Sequence, residues 1–231
     1  MNKTQIPGWA LERVMARRGT LHPYADLDPR RTALIAIDMQ NAYLSESTAH
    51  AYCQHAVDII PNINRIAQAL RTAGGKVFWI SHVHDASWVT LYAKMRPENV
   101  TRRAEALRVG SAGYALHPSL DVQPDDAMVP KWRFSAFIAE SSDLAVRLRA
   151  AGCDTVLITG TLTNVCCESS ARDAMMMNFH SIMVSDANAA ITDEEHNASL
   201  TNFYTTFGDV MDTDFLLGCL AGKSAGASAA A

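Results

Sequence analysis

The chain has 231 residues, 48% of them hydrophobic, which suits a single α/β domain with a sizeable core. Its 20 basic and 24 acidic residues leave a formal net charge of −4 with the two signs interspersed, so no basic stripe marks it as a partner of nucleic acid. No apolar run reaches the ~18 residues of a membrane span, and the opening MNKTQIPGWALERVMARRG lacks the continuous apolar stretch of a secretory leader.

Residues 1–31 carry no strong periodic pattern and read as an N-terminal arm, with Trp9, His22 and Tyr24, packed on the body or on another subunit. Residues 32–38 are short, apolar and branched, the pattern of a strand buried on both faces, and Asp38 closes it. Val57, Ile60, Ile63, Ile66, Ala67 and Leu70 recur at helical spacing until Gly74 and Gly75 end the helix. A second strand spans 76–82. The stretch 85–125 is less regular, with one helix near 87–96 and a run rich in Gly, His and Pro. A short third strand at 126–130 leads into Lys131, and a helix near 141–152 ends at Gly152.

Residues 155–160 form the clearest strand, followed by a turn and a helix from about Asn164 to Asn178. A strand at 181–185, a helix near 193–206 and a short segment around 209–219 complete the domain, 32–220. The small-residue stretch 221–231 reads as a disordered tail. Strands alternating with helices imply a mostly parallel sheet covered on both faces. Ligands of such sheets bind beyond the carboxyl ends of the strands. Asp38, Lys131 and the turn before Cys166 follow three different strands at that end.

The five cysteines, Cys53, Cys153, Cys166, Cys167 and Cys219, form no CxxC pair, so neither a zinc site nor a disulfide framework is implied, and a reducing cytoplasm suits them. Cys166 stands out because a strand and turn place it at the start of a helix. Partial positive charge and free N–H groups there favour a thiolate, and the same N–H groups suit an oxyanion. Asp38 is a candidate proton acceptor, and Lys131 a candidate ammonium beside both. Cys167, one residue on, reads as core. His82 and His84 alternate on one face of a strand end. With Asp85 they could form a metal pair, but no third ligand stands at an informative spacing, so a hydrogen-bonded pocket wall is the preferred reading and no metal or cofactor is expected.

Three segments, ALIAIDMQNAY (33–43), VPKWRFSAF (129–137) and GTLTNVCCESSARDA (160–174), resemble the signature blocks of the isochorismatase-like cysteine hydrolases, in order, through about residues 32–215. The resemblance implies an α/β three-layer sandwich on a six-stranded parallel sheet. It implies an Asp38–Lys131–Cys166 triad, a cis peptide at Thr161–Leu162, and the backbone N–H groups of Leu162 and Cys166 as oxyanion donors. Within the family the blocks are most similar to ureidoacrylate amidohydrolases and carbamoylsarcosine amidases. Nicotinamidases, with Asp and His metal ligands after the second strand, are less similar, and Cys167 stands where relatives commonly have Val.

The implied activity is cysteine-dependent cleavage of a C–N bond in a small ureido, carbamoyl or amide compound, through a thioester-type intermediate and with release of ammonia. The alternatives are vinyl-ether cleavage of the isochorismatase type and a non-catalytic binding subunit. Asn41, Tyr43, Trp79, Arg133 and Phe137 are candidate pocket residues, and Asn164 a candidate helix cap. The segment 85–125 is expected to shape the pocket, and the resemblance implies a homo-oligomer acting on a small molecule.

Overall fold

A computed structural model describes the backbone of residues 1–228, and the side chains of these except 87–91 and 223–228. The strands are β1 (Thr32–Ile37), β2 (Lys76–His82), β3 (Ala127–Lys131), β4 (Thr155–Thr161), β5 (His180–Ala189) and β6 (Asp209–Met211). They form one six-stranded sheet in the order β3-β2-β1-β4-β5-β6, every pairing parallel. Helices α1 (Gly8–Arg18), α2 (Asn41–Leu44), α3 (Ile60–Thr72), α4 (Ala86–Met95), α5 (Val100–Ala106), α6 (Leu144–Ala150), α7 (Glu168–Met176), α8 (Asp193–Thr206) and α9 (Thr213–Ser228) surround it.

The alternation of β1 builds two cores. Leu34 and Ala36 pack with Ile63, Ile66 and Leu70 of α3 and Leu216 of α9. Ala33, Ile35 and Ile37 pack on the other face with Leu148 of α6, Ala171 and Ala174 of α7, and Leu200 and Phe203 of α8. A strand buried on both faces needs apolar residues at every position, which is why residues 32–37 read as a continuous apolar run.

The chain winds outward from β1 through β2 to β3, then returns to the other side of β1 at β4. The connections therefore diverge at the carboxyl ends of β1 and β4, opening a crevice there. Asp38 leaves β1 with φ 55°, and Gly160 near the end of β4 has φ 112°. At Gly160 an added Cβ would lie 2.0 Å from the Ile37 carbonyl oxygen, so glycine lets β4 approach β1 where both chains turn into the site. Gly160→Ala is expected to destabilise the fold by about 3 kcal/mol or more, a fall of roughly 6–12 °C in Tm. An unchanged melting curve would contradict this account of the close approach.

Four segments differ from the sequence reading. The arm contains α1, which docks on α8 through Ala10 and Val14 while Trp9, Leu11 and Met15 stay exposed. The 85–125 stretch holds a second helix, α5, besides α4. The helix expected from Asn164 begins as a π-type turn over Thr163–Cys167, with α7 starting at Glu168. Asn164 lies inside that turn with its Oδ1 buried and unpartnered, so it is not a cap. Finally, α9, anchored by the buried Leu216 and Leu220, continues helical through 221–228 where a disordered tail is expected. Residues 229–231 lie outside the described residues.

Candidate active site

At the carboxyl rim, the Lys131 ammonium lies 2.9 Å from Oδ2 of Asp38 and 3.5 Å from Sγ of Cys166. It also donates to the Arg133 carbonyl at 3.0 Å. Lys131 is the last residue of β3, two strands from β1, and its long stem reaches past the end of β2 to Asp38. Asp38 and Lys131 are fully buried and Cys166 is 4% exposed. The Thr161–Leu162 peptide is cis. Residues distant in the chain, 38, 131 and 166, thus meet at one point because three strands end on the same edge.

Gln40 sews the strand ends together. Its Oε1 accepts from the His82 N–H at 2.7 Å, and its Nε2 donates to the carbonyls of Tyr114 and His82. This fixes His82, whose Nδ1 lies 3.1 Å from the Tyr43 hydroxyl and 3.9 Å from Asp38 Oδ2, while Arg103 donates to its Nε2 at 2.8 Å.

Burial dominates the ionisation of the cluster. It lifts the Asp38 carboxyl above the usual carboxylate range, against the opposing pull of Lys131. It works against the Lys131 ammonium too, but Asp38 and Cys166 outweigh it and the Lys131 pKa is raised. Burial pushes the Cys166 thiol far up, Lys131 opposes this, and the Asp38 carboxylate adds to it. The direction is opposite to the expectation that the helix start lowers the thiol pKa, because desolvation in a closed site outweighs the dipole. His82 is held well below its usual range by burial and by the charges of Lys131 and Arg103, so its ring is neutral.

Above the cluster opens a cavity of about 630 Å³. Tyr43, His82, Arg103, Phe134, Leu162 and Cys166 line it, together with Tyr92, Met95 and Arg96 from the end of α4 and the residue after it. Of the five candidate pocket residues, Tyr43 lines it. Trp79 is fully buried in the α3 core and its indole donates to Asp126 just before β3, away from the rim. Phe137 packs on Phe179 in the opposite core. Asn41 donates to the Ala112 carbonyl, and Arg133 pairs with Asp85. The 85–125 stretch supplies Tyr92, Met95, Arg96 and Arg103, and His50 comes from the loop after α2; sequence reasoning singled out none of these five residues. Their one visible signal was the pair Arg102-Arg103 inside a segment without a clear apolar pattern.

His82, Asp85 and His84 do not converge as a metal set, since the His82 ring faces Arg103 and Tyr43 and Asp85 pairs with Arg133. One ligand atom each of Asp38, His82 and Cys166 do lie within 4.8 Å of one another, but the Lys131 ammonium already occupies the cation position beside that carboxylate.

A doubly wound parallel sheet with this buried acid, ammonium and thiol at its switch point has clear relatives. The chain belongs to the isochorismatase family, whose Isochorismatase domain matches residues 32–215. It is 34% identical over 206 residues to the ureidoacrylate amidohydrolase RutB of Methylobacterium radiotolerans, covering 80% of this chain and 78% of that one. To the same-named protein of Serratia proteamaculans it is 33% identical over 210 residues, 84% of each chain. A cysteine hydrolase structure from Pseudomonas syringae pv. phaseolicola superposes with a TM-score of 0.77 at 30% identity, over 85% of this chain and 95% of that one. N-carbamoylsarcosine amidase from Thermoplasma acidophilum shares the fold, with a TM-score of 0.65 at 22% identity over 80% and 97% of the two chains. Among the described residues no helix is long and apolar enough to cross a membrane.

Proposed function

We propose that this hydrolase is a cysteine-dependent amidohydrolase that cleaves the C–N bond of a small carbamoyl or ureido acid and releases ammonia. The observation that carries the reading is the buried Asp38–Lys131–Cys166 contact, whose Cys166 lines the cavity. The relatives named amidohydrolases support the same bond type. In the proposed reaction the Asp38 carboxylate takes the thiol proton, Lys131 stabilises the negative charge that builds on sulfur as the proton leaves, and Sγ attacks the carbonyl carbon, passing the charge to the carbonyl oxygen. The Leu162 and Cys166 N–H groups receive the oxyanion. Asp38 then returns the proton to the departing nitrogen, and a water deprotonated by Asp38 hydrolyses the thioester-type intermediate. With a ureide the products are ammonia, carbon dioxide and an amine or enamine acid.

The cavity favours an anionic substrate. Among the described residues its charged lining groups are Arg96 and Arg103, with no carboxylate beside them. Among the described residues Arg96 makes no ion pair, so its guanidinium is available to a substrate carboxylate. The proposal extends to a homo-oligomer in a reducing cytoplasm, supported by the exposed Trp9, Leu11 and Met15 of α1 and by five free cysteines; sedimentation as a monomer would contradict the first part.

The test is ammonia release from carbamoyl and ureido acids, biuret, triuret and nicotinamide, with wild type beside Cys166→Ser. Turnover of a ureido acid, lost in the variant, is the expected result. Silence across the panel would sink the amidohydrolase reading and bring vinyl-ether cleavage or a non-catalytic role forward.

A further inference from the structure

We propose that Arg103, His82 and Tyr43 form a hydrogen-bond chain of fixed direction, which presents the Tyr43 hydroxyl as a donor to an acceptor oxygen of the bound substrate. Arg103 and His82 are positioning residues in this chain, and Tyr43 is the group that touches substrate. The last step rests on the amidohydrolase reading, whereas the direction of the chain does not.

Arg103 sits on α5, 1% exposed, with Nη2 2.8 Å from His82 Nε2. A guanidinium has only donors, so Nε2 must be the acceptor. The His82 ring is neutral, for burial and two neighbouring cations oppose its protonation. Its single proton is therefore on Nδ1. The Tyr43 oxygen lies 3.1 Å from Nδ1, within hydrogen-bond reach, while Asp38 Oδ2 at 3.9 Å lies beyond it. The Nδ1–H thus donates to the Tyr43 oxygen, and the hydroxyl hydrogen of Tyr43 must find a different acceptor.

Among the described residues the hydroxyl has no other hydrogen-bond partner. Tyr43 stays protonated, because burial and the nearby Asp38 and Cys166 keep its pKa well above the ordinary phenol value. It lines the cavity together with Cys166. The remaining acceptor is thus the occupant of that cavity.

Direction is the point of the arrangement. With a side chain at position 103 that can accept, His82 is free to carry its proton on Nε2 and to accept from Tyr43 through Nδ1. The phenolic hydrogen then turns into the protein wall, and the cavity loses its donor. A buried arginine removes that option by being unable to accept. A site whose donor is fixed in advance also discriminates against compounds that lack an acceptor at that point, since the donor is then left unpaired.

Long-range ¹H–¹⁵N spectra of the full-length protein read the tautomer directly, with the His82 signals assigned by their loss in His82→Gln. The expected result is a protonated Nδ1 and an unprotonated Nε2 in wild type, and a shift toward Nε2–H in Arg103→Gln. Arg103→Lys, also a pure donor, is expected to keep the wild-type tautomer. On the substrate found in the ammonia assay, Tyr43→Phe is expected to lower kcat/KM roughly tenfold, and Arg103→Gln to add little in the Tyr43→Phe background. Nε2–H or an imidazolium in wild type overturns the chain, as does Tyr43→Phe with kcat/KM within twofold of wild type. The intact tautomer with no ammonia from any compound overturns the amidohydrolase reading instead and leaves the direction of the chain standing.

Discussion

Asp38→Asn is expected to lower kcat/KM by roughly a thousand- to ten-thousand-fold, because the thiol loses its proton acceptor. The same change should lower stability by about 3–5 kcal/mol, since it leaves the Lys131 ammonium buried without its partner. Lys131→Met should behave similarly from the other side, stranding a fully buried carboxylate. The informative variant is the double one. Asp38→Asn combined with Lys131→Met removes both buried charges, so much of the lost stability returns while activity does not. Chemical denaturation of the four proteins measures the coupling. If the two single losses simply add in the double variant, Asp38 and Lys131 do not form the interacting pair from which the mechanism is built.

The second large effect is on the pH dependence of the thiol. Burial raises the Cys166 thiol pKa, and in the proposed mechanism its proton leaves by transfer to Asp38 when substrate is bound. Iodoacetamide should therefore modify Cys166 at pH 7.5 at least about tenfold more slowly than a free model thiol, and the rate should climb only in alkali. Turnover follows a different curve. Asp38 must be a carboxylate to act, so kcat/KM rises with pH through its folded pKa, which burial has lifted above the ordinary 3.8. Activity falls only when Lys131 loses its proton, above the ordinary 10.5. The expected profile is a broad plateau through neutrality, with alkylation slow across most of it. Fast alkylation at neutral pH, tracking the acid limb of turnover, would mean a resting thiolate and a different division of labour.

The strands were legible because a short, branched, continuously apolar run is what burial on both faces of a parallel sheet requires, and Asp38 and Lys131 were legible because each stands at the carboxyl end of a strand. Cys166 was visible from its strand–turn–helix setting and from a block resembling known relatives. Its ionisation was not, since a helix start is local and can be read from sequence, whereas desolvation depends on everything packed over it. Helix α1 escaped notice because only Ala10 and Val14 face the core, too narrow a stripe against the exposed Trp9, Leu11 and Met15; Gly19, in the left-handed region just past its end, was the available signal. Trp79 is an aromatic near a strand end, the usual mark of a pocket residue, but alternation along β2 turns it into the α3 core. Arg103 and His50 were missed because a buried arginine and a loop histidine owe their place to tertiary packing, on which local propensity is silent.

The proposed mechanism turns on Cys166 forming a covalent bond with substrate. Wild type mixed with its ammonia-releasing substrate and acid-quenched within a turnover should yield a Cys166-containing peptide carrying the acyl or carbamoyl group, and Cys166→Ala should yield neither adduct nor ammonia. Ammonia release by Cys166→Ala within tenfold of wild type would contradict it.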